Sequence, residues 1–148
     1  MNLRELEFRK RLIHDMGGHW TVTIHVENHL NPGVPDLSYV MAAPGHETGW
    51  LELKVAPQPA KRNPLRFKVE SSQHTWMIRH AHRVPSHFLI KVGTTCYLVG
   101  GTKHNELAKS LVEDDLLRIA VVVFSDDQIV NGLSPQLQRS TRRDRNGS

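Results

Sequence analysis

The chain has 148 residues, 39% of them hydrophobic, with one cysteine and a net charge of +4, a mean hydropathy of −0.42 and a pI of about 9.5. That is enough chain for one domain with a real core. It excludes a disulfide scaffold, since Cys96 has no partner cysteine, and a membrane-embedded protein, since no apolar run approaches the roughly 18 residues of a span.

Residues 2–16 are predicted helical, because Phe8, Leu12 and Met16 recur at helical spacing beside Leu6 and Ile13, and Gly17-Gly18 stops the run. This charged start lacks the apolar stretch of a signal peptide, so a reducing, cytoplasmic location is expected. Trp20–Val26 alternates, with Val22, Ile24 and Val26 on one strand face. Asn28–Pro35 reads as a loop, and Asp36–Met41 and Gly49–Val55 as a hairpin. Pro57–Pro64 is a proline-rich, basic, exposed connection. Glu70–Arg83 is a second helix, with Ser71 and Ser72 offered as N-caps and Gln73, Trp76, Met77 and His80 on one face. Phe88–Val92 and Cys96–Val99 form another hairpin through Gly93-Thr94. Thr102 to about Val112 reads as helix, and Leu116–Phe124, interrupted by Arg118, fits either a buried strand or a helix. The tail from Ser134 has a disordered composition. One domain over 1–133 and a basic tail over 134–148 are expected, and the element order is that of an α/β sandwich on a mixed sheet.

The chemistry concentrates at Pro35-Asp36 and Glu52-Leu53-Lys54. Alternate strand residues share a face, so Glu52 and Lys54 point together while Leu51, Leu53 and Val55 point into the core. Folding the hairpin brings Asp36 beside Glu52. Two carboxylates suit Mg²⁺, which takes hard oxygen ligands and keeps waters, and Lys54 would help activate water and stabilise charge on a scissile phosphate. The competing reading makes Asp36 a turn cap and Glu52 and Lys54 an exposed edge pair. Five cations and no acid lie between Lys54 and Lys68, namely Lys54, Lys61, Arg62, Arg66 and Lys68, and Arg139, Arg142, Arg143 and Arg145 crowd the tail. Such runs suit a polyanion but also occur in solvated loops.

Gly33-Val34-Pro35-Asp36-Leu37, Gly49-Trp50-Leu51-Glu52-Leu53-Lys54 and Gln73-His74-Thr75-Trp76 together resemble the PD-(D/E)XK nuclease superfamily, within it the VRR-NUC and Holliday-junction-resolvase branch with its small phage-encoded members. The resemblance covers roughly residues 3–100. It implies a restriction-endonuclease-like αβββαβ core, a mixed central sheet flanked by helices, and a Mg²⁺-dependent DNA endonuclease in which Mn²⁺ would substitute. It also implies action on branched or duplex DNA, often as a homodimer, in a host cytoplasm if phage-encoded. On the matching positions it implies Asp36, Glu52, Lys54 and Gln73 as catalytic residues. It implies Asp36, Glu52, the Leu53 backbone carbonyl and an acid from the first helix as metal ligands. Glu5 and Glu7 are the candidates for that acid, and Glu5 is favoured because it shares a helix face with Phe8 and Leu12. Lys61, Arg62, Arg66 and Lys68 are the expected DNA contacts.

Other residues carry less. The ten histidines show no zinc spacing, and His80 and His82 do not share a helix face. His29, in the loop before Pro35-Asp36, reads as a surface histidine within reach of a phosphate. Gly100-Gly101-Thr102-Lys103 lacks the upstream glycine of a phosphate loop, and Cys96 reads as core. Three functions compete at this stage: a structure-selective endonuclease such as a junction resolvase, a general or nicking nuclease, and a non-catalytic nucleic-acid-binding module that keeps the fold. A sequence-specific restriction enzyme would need a recognition domain for which 148 residues leave little room.

Overall fold

A computed structural model describes residues 2–24, 32–42 and 47–145, with side chains undescribed over 22–24 and 138–145. His29 lies outside the described residues. Helix α1 (Leu3–Asp15) opens with a capping box in which Asn2 Oδ1 accepts from Glu5 N–H at 2.9 Å. Its Phe8 and Leu12 are buried. Strands β1 (Trp20–Ile24), β2 (Leu37–Met41) and β3 (Thr48–Ala56) form an antiparallel meander. Helix α2 (Ser71–His80) then crosses over to β4 (Ser86–Val92), which pairs with β3 in parallel. Strand β5 (Thr95–Gly100) follows through a turn at Gly93.

The sheet is six-stranded in order β1-β2-β3-β4-β5-β6, with β6 (Val122–Ser125) antiparallel on β5. This is the mixed, helix-flanked α/β sheet that the sequence led us to expect. Apolar layers lie on both faces. Leu51 and Leu53 of β3 pack with α1 and with Ile129, Leu133 and Leu137 of helix α5 (Ile129–Arg145), whereas Ala56, Phe88 and Ile90 pack with Met77 of α2 and Leu116. Among the described residues no helix is long and apolar enough to cross a membrane.

Three local expectations are corrected. The helix expected from Thr102 to Val112 is a 3₁₀ turn (Gly101–Lys103) running into the short helix α3 (His104–Leu107), after which the chain is irregular. Leu116–Phe124 is neither one strand nor one helix. Its first half belongs to α4 (Glu113–Ile119), whose Asp115 carboxylate accepts from Val112 N–H at 3.0 Å, and its second half becomes β6. Over 134–145 the segment expected as a disordered tail is helical, since α5 continues through Pro135 to Arg145 and buries Leu137 in the core.

Candidate active site

The site forms where β2 begins and β3 passes it. Gly33 has φ +86°, and a Cβ there would lie 2.2 Å from the Ser72 carbonyl oxygen, so only glycine lets the chain turn against the start of α2. Pro35 is buried. Asp36 follows, one residue before β2, and its backbone is tied to the neighbouring strand. Asp36 N–H donates to Glu52 Oε2 at 3.2 Å, and Leu53 N–H donates to Asp36 Oδ2 at 2.8 Å.

Alternation along β3 sends Leu51 and Leu53 to the α1 face and Glu52 and Lys54 to the α2 face, as expected. That second face is not open to solvent. The side chains of Glu52 and Lys54 are only 5% and 7% accessible, with Lys54 Nζ 3.9 Å from Glu52 Oε1. An exposed edge pair is thereby ruled out. Burying two charges costs several kcal/mol each before pairing returns anything, so such a pair is seldom retained for stability alone.

Gln73, at the third position of α2, joins them. Its Nε2 donates to Glu52 Oε1 at 2.7 Å, and its Oε1 accepts from Lys54 Nζ at 2.9 Å and from Glu70 N–H at 2.9 Å. Two donors on Oε1 and one carboxylate at Nε2 fix which way the amide points. Gln73 thus holds the ammonium and the carboxylate in a set relation, which strand geometry alone does not do.

The electrostatics follow from burial. Desolvation raises Asp36 above the usual carboxylate range, against the Leu53 hydrogen bond that lowers it. Desolvation, with the Asp36 charge added, raises Glu52 well above that range, and Lys54 pulls it back. Glu5 raises both. Asp36, Glu52 and Glu5 therefore share one local field in which Lys54 is the cation that lowers both Asp36 and Glu52, and an added cation would relieve the acids' mutual repulsion.

The donor set fits a hard divalent ion. N–H and C=O of a strand residue point to the same side, so the Leu53 carbonyl is turned to the edge where its N–H meets Asp36. Among the described residues no three His, Cys, Asp or Glu side chains converge closely enough to hold a metal by themselves. Two carboxylates and one backbone oxygen remain, which suits Mg²⁺ with its retained waters and not an all-protein cage.

These groups line a cavity of about 420 Å³, which Glu5, Arg66, Lys68 and Glu70 also border. Glu5 borders the cavity, but it does not converge with Asp36 and Glu52 into a three-acid group, and its Oε2 accepts from Asn2 N–H at 3.4 Å as half of the capping box. Glu7 is exposed and off the cavity. The basic loop divides. Arg66 and Lys68 border the carboxylates' cavity, with Lys68 Nζ 3.8 Å from Glu70 Oε2, but Lys61 and Arg62 line a separate cavity of about 320 Å³ beside Glu113 and Asp114. Of the histidines, His74 Nδ1 meets His104 Nδ1 at 3.0 Å, a pair and not a metal cluster. Sequence reasoning missed the parts played by Asn2 and Glu70, though Asn2-x-x-Glu5 and Glu70-x-x-Gln73 carry the capping-box spacing that would have flagged them.

No protein-family model matches the sequence, and no curated protein does. Among solved structures, Hjc of Archaeoglobus fulgidus, a Holliday junction resolvase from an archaeal hyperthermophile, is similar over 89% of this chain and 98% of its own, with a TM-score of 0.51 and 11% identity. The fold is restriction-endonuclease-like. At 11% identity the likeness speaks to fold alone.

Proposed function

We propose that this protein is a metal-dependent DNA endonuclease of the PD-(D/E)XK type, close to the VRR-NUC and junction-resolvase branch, acting as a homodimer on branched or duplex DNA. The observation that carries the reading is the Asp36–Glu52–Lys54–Gln73 constellation, with Glu52 and Lys54 buried, opening on a cavity bordered by Arg66 and Lys68. A module that only bound DNA would have no use for two desolvated carboxylates facing a buried ammonium.

Asp36, Glu52 and the Leu53 carbonyl would hold Mg²⁺, or Mn²⁺ in its place, with Glu5 near enough to add charge to the site. When bound, the ion supplies Lewis-acid polarisation of a phosphate and activation of water. Lys54 faces the same space and stabilises charge developing on the phosphate oxygens during in-line attack. Gln73 orients Lys54 and Glu52 toward one another. Arg66 and Lys68 attract and seat the phosphate backbone without reading sequence.

The test is to incubate purified protein and Mg²⁺ with a four-way junction, a linear duplex, a single strand and a flap. Cleavage by the wild type, abolished in Asp36→Asn and Glu52→Gln with the fold intact by circular dichroism, supports the assignment. Undiminished cleavage by either variant rejects it, and binding without cleavage by the wild type returns the chain to the non-catalytic reading. A preference for the four-way junction separates a resolvase from a general nuclease.

A further inference from the structure

Next to the catalytic groups, on the same two elements, stands a set of aromatic rings that the proposed chemistry does not use. Trp50 precedes Glu52 by two residues and so shares its face of β3, about 7 Å away at the usual strand rise. Trp76 follows Gln73 by about one turn of α2, a rise of roughly 4.5 Å. The two elements meet twice in succession. Gln73 Nε2 contacts Glu52 at 2.7 Å, and one step further the Trp50 and Trp76 rings lie 5.4 Å apart at 60°. His80 extends the row, with its ring 4.5 Å from that of Trp76.

These rings are not simply core. Met77 is the buried contact of α2, whereas Trp50 and Trp76 are half-buried and His80 is exposed. The third tryptophan shows the contrast, since Trp20 is buried and stacked on Tyr39 at 5.2 Å in the opposite layer. Arg79 and Arg83 are exposed on and just beyond α2, and the sequence has no Asp or Glu between Glu70 and Glu106.

We propose that Trp50, Trp76 and His80 form a stacking platform for an unpaired base of the strand whose phosphate sits at Asp36 and Glu52. The proposal rests on the nuclease reading and adds its substrate class, nucleic acid with a single-stranded or opened segment beside the cut. Every base offers a π-face, so partly exposed rings beside exposed arginines suit single strands without sequence preference. The offset of about 7 Å from Glu52 matches the rise of roughly two stacked bases, at 3.4 Å per step along one strand. A second copy of the chain is a poorer occupant. A two-fold contact lays a patch on itself, which would set Arg79 and Arg83 against their own counterparts, and like charges across an interface oppose association.

The experiment is an intrinsic-fluorescence titration of the full chain with oligothymidine and with a blunt duplex, without divalent metal so that no cleavage occurs. Wild-type fluorescence should be quenched by oligothymidine and much less by duplex. Trp76→Ala should weaken oligothymidine binding roughly five- to a hundredfold, the range for loss of one stacked base, and leave duplex affinity within about twofold. Trp76→Phe keeps a ring, controls for misfolding, and should restore most of the affinity. Equal losses on both ligands in Trp76→Ala, or no loss on either, overturn the platform while leaving the nuclease reading intact. A change of Trp76→Ala from dimer to monomer by sedimentation overturns it in favour of self-association. Failure of the wild type to bind either ligand overturns the nuclease reading and the platform together.

Discussion

Replacing Gly33 with alanine separates the positioning of Asp36 from its chemistry, because the changed atom touches no reacting group. The new Cβ would lie 2.2 Å from the Ser72 carbonyl oxygen and 2.4 Å from its carbon, whereas real Cβ contacts begin near 3.0 Å. Both obstacles are backbone, so no rotamer change relieves them. The 33–36 segment must retreat from the start of α2 by close to 1 Å. Left-handed φ adds about 1–2 kcal/mol for a residue with a Cβ, and overpacking about 1–3 kcal/mol, so a stability loss of about 2–5 kcal/mol is expected in chemical denaturation. A shift of this size at Asp36 should cost roughly 10²-fold in kcat, measured on folded protein well below the unfolding transition. Gly18→Ala, which meets nothing within 4 Å, is the control and should change stability by under about 0.5 kcal/mol. Wild-type stability in Gly33→Ala would refute the seating of this segment on α2. A lost stability of about 2–5 kcal/mol with an unchanged rate would refute the claim that the seating positions Asp36.

Lys54→Ala should slow cleavage strongly while leaving DNA affinity nearly unchanged, as single-turnover kinetics and binding curves would show, and an equal fall in both would move Lys54 from chemistry to binding. Glu5→Gln should weaken activity more than Glu7→Gln, since Glu5 borders the cavity and Glu7 does not, and a reversed order in Mg²⁺ titrations of the rate would exclude Glu5 as the helix acid. Alanine at both Arg66 and Lys68 should flatten the plot of log affinity against log salt by about two units, near 0.9 for each phosphate contact, with a smaller change for Lys61 and Arg62 in their separate cavity. Burial lowers buried His87 to about 4 from 6.5, so below pH 6.5 the unfolded chain takes up a proton that the native chain refuses. Stability should therefore fall as pH drops from 6.5 to about 4, by about 3 kcal/mol at 1.36 per unit, and urea melts of His87→Gln should lack that part of the slope.

The centre of the site was legible because its signal is local. Strand alternation is enough to pair Glu52 with Lys54, and a hairpin is enough to bring up Asp36. What alternation does not report is whether a face is covered. The burial of Glu52 and Lys54 depends on α2 lying over β3, a long-range fact that also recruits Gln73. The division of the basic loop was equally hidden, since Lys61 and Arg66 read alike in composition and differ only in which cavity the turn presents them to. The C-terminal helix failed for another reason. Ile129, Leu133 and Leu137 recur every four residues and are all buried, but Gly132, Pro135 and the arginines around them carry the composition of a disordered end. Helix α4 and strand β6 sit side by side within one apolar run, and nothing short of the sheet edge decides where one stops.

The strand order has a bearing on how the molecule is assembled. Every strand pairs with its neighbour in the chain, and four of the five pairings are antiparallel, which keeps most closures local and their entropic cost small. The exception is β3 with β4, whose parallel register requires the α2 crossover to be laid down first. Glu52, Lys54 and Gln73 fall within the stretch that makes this crossover, while Asp36, one residue before β2, joins them through the β2–β3 hairpin. The pairing that most needs a crossover thus also brings Gln73 onto Glu52 and Lys54, so a chain that stalls before it would lack the assembled Glu52–Lys54–Gln73 cluster.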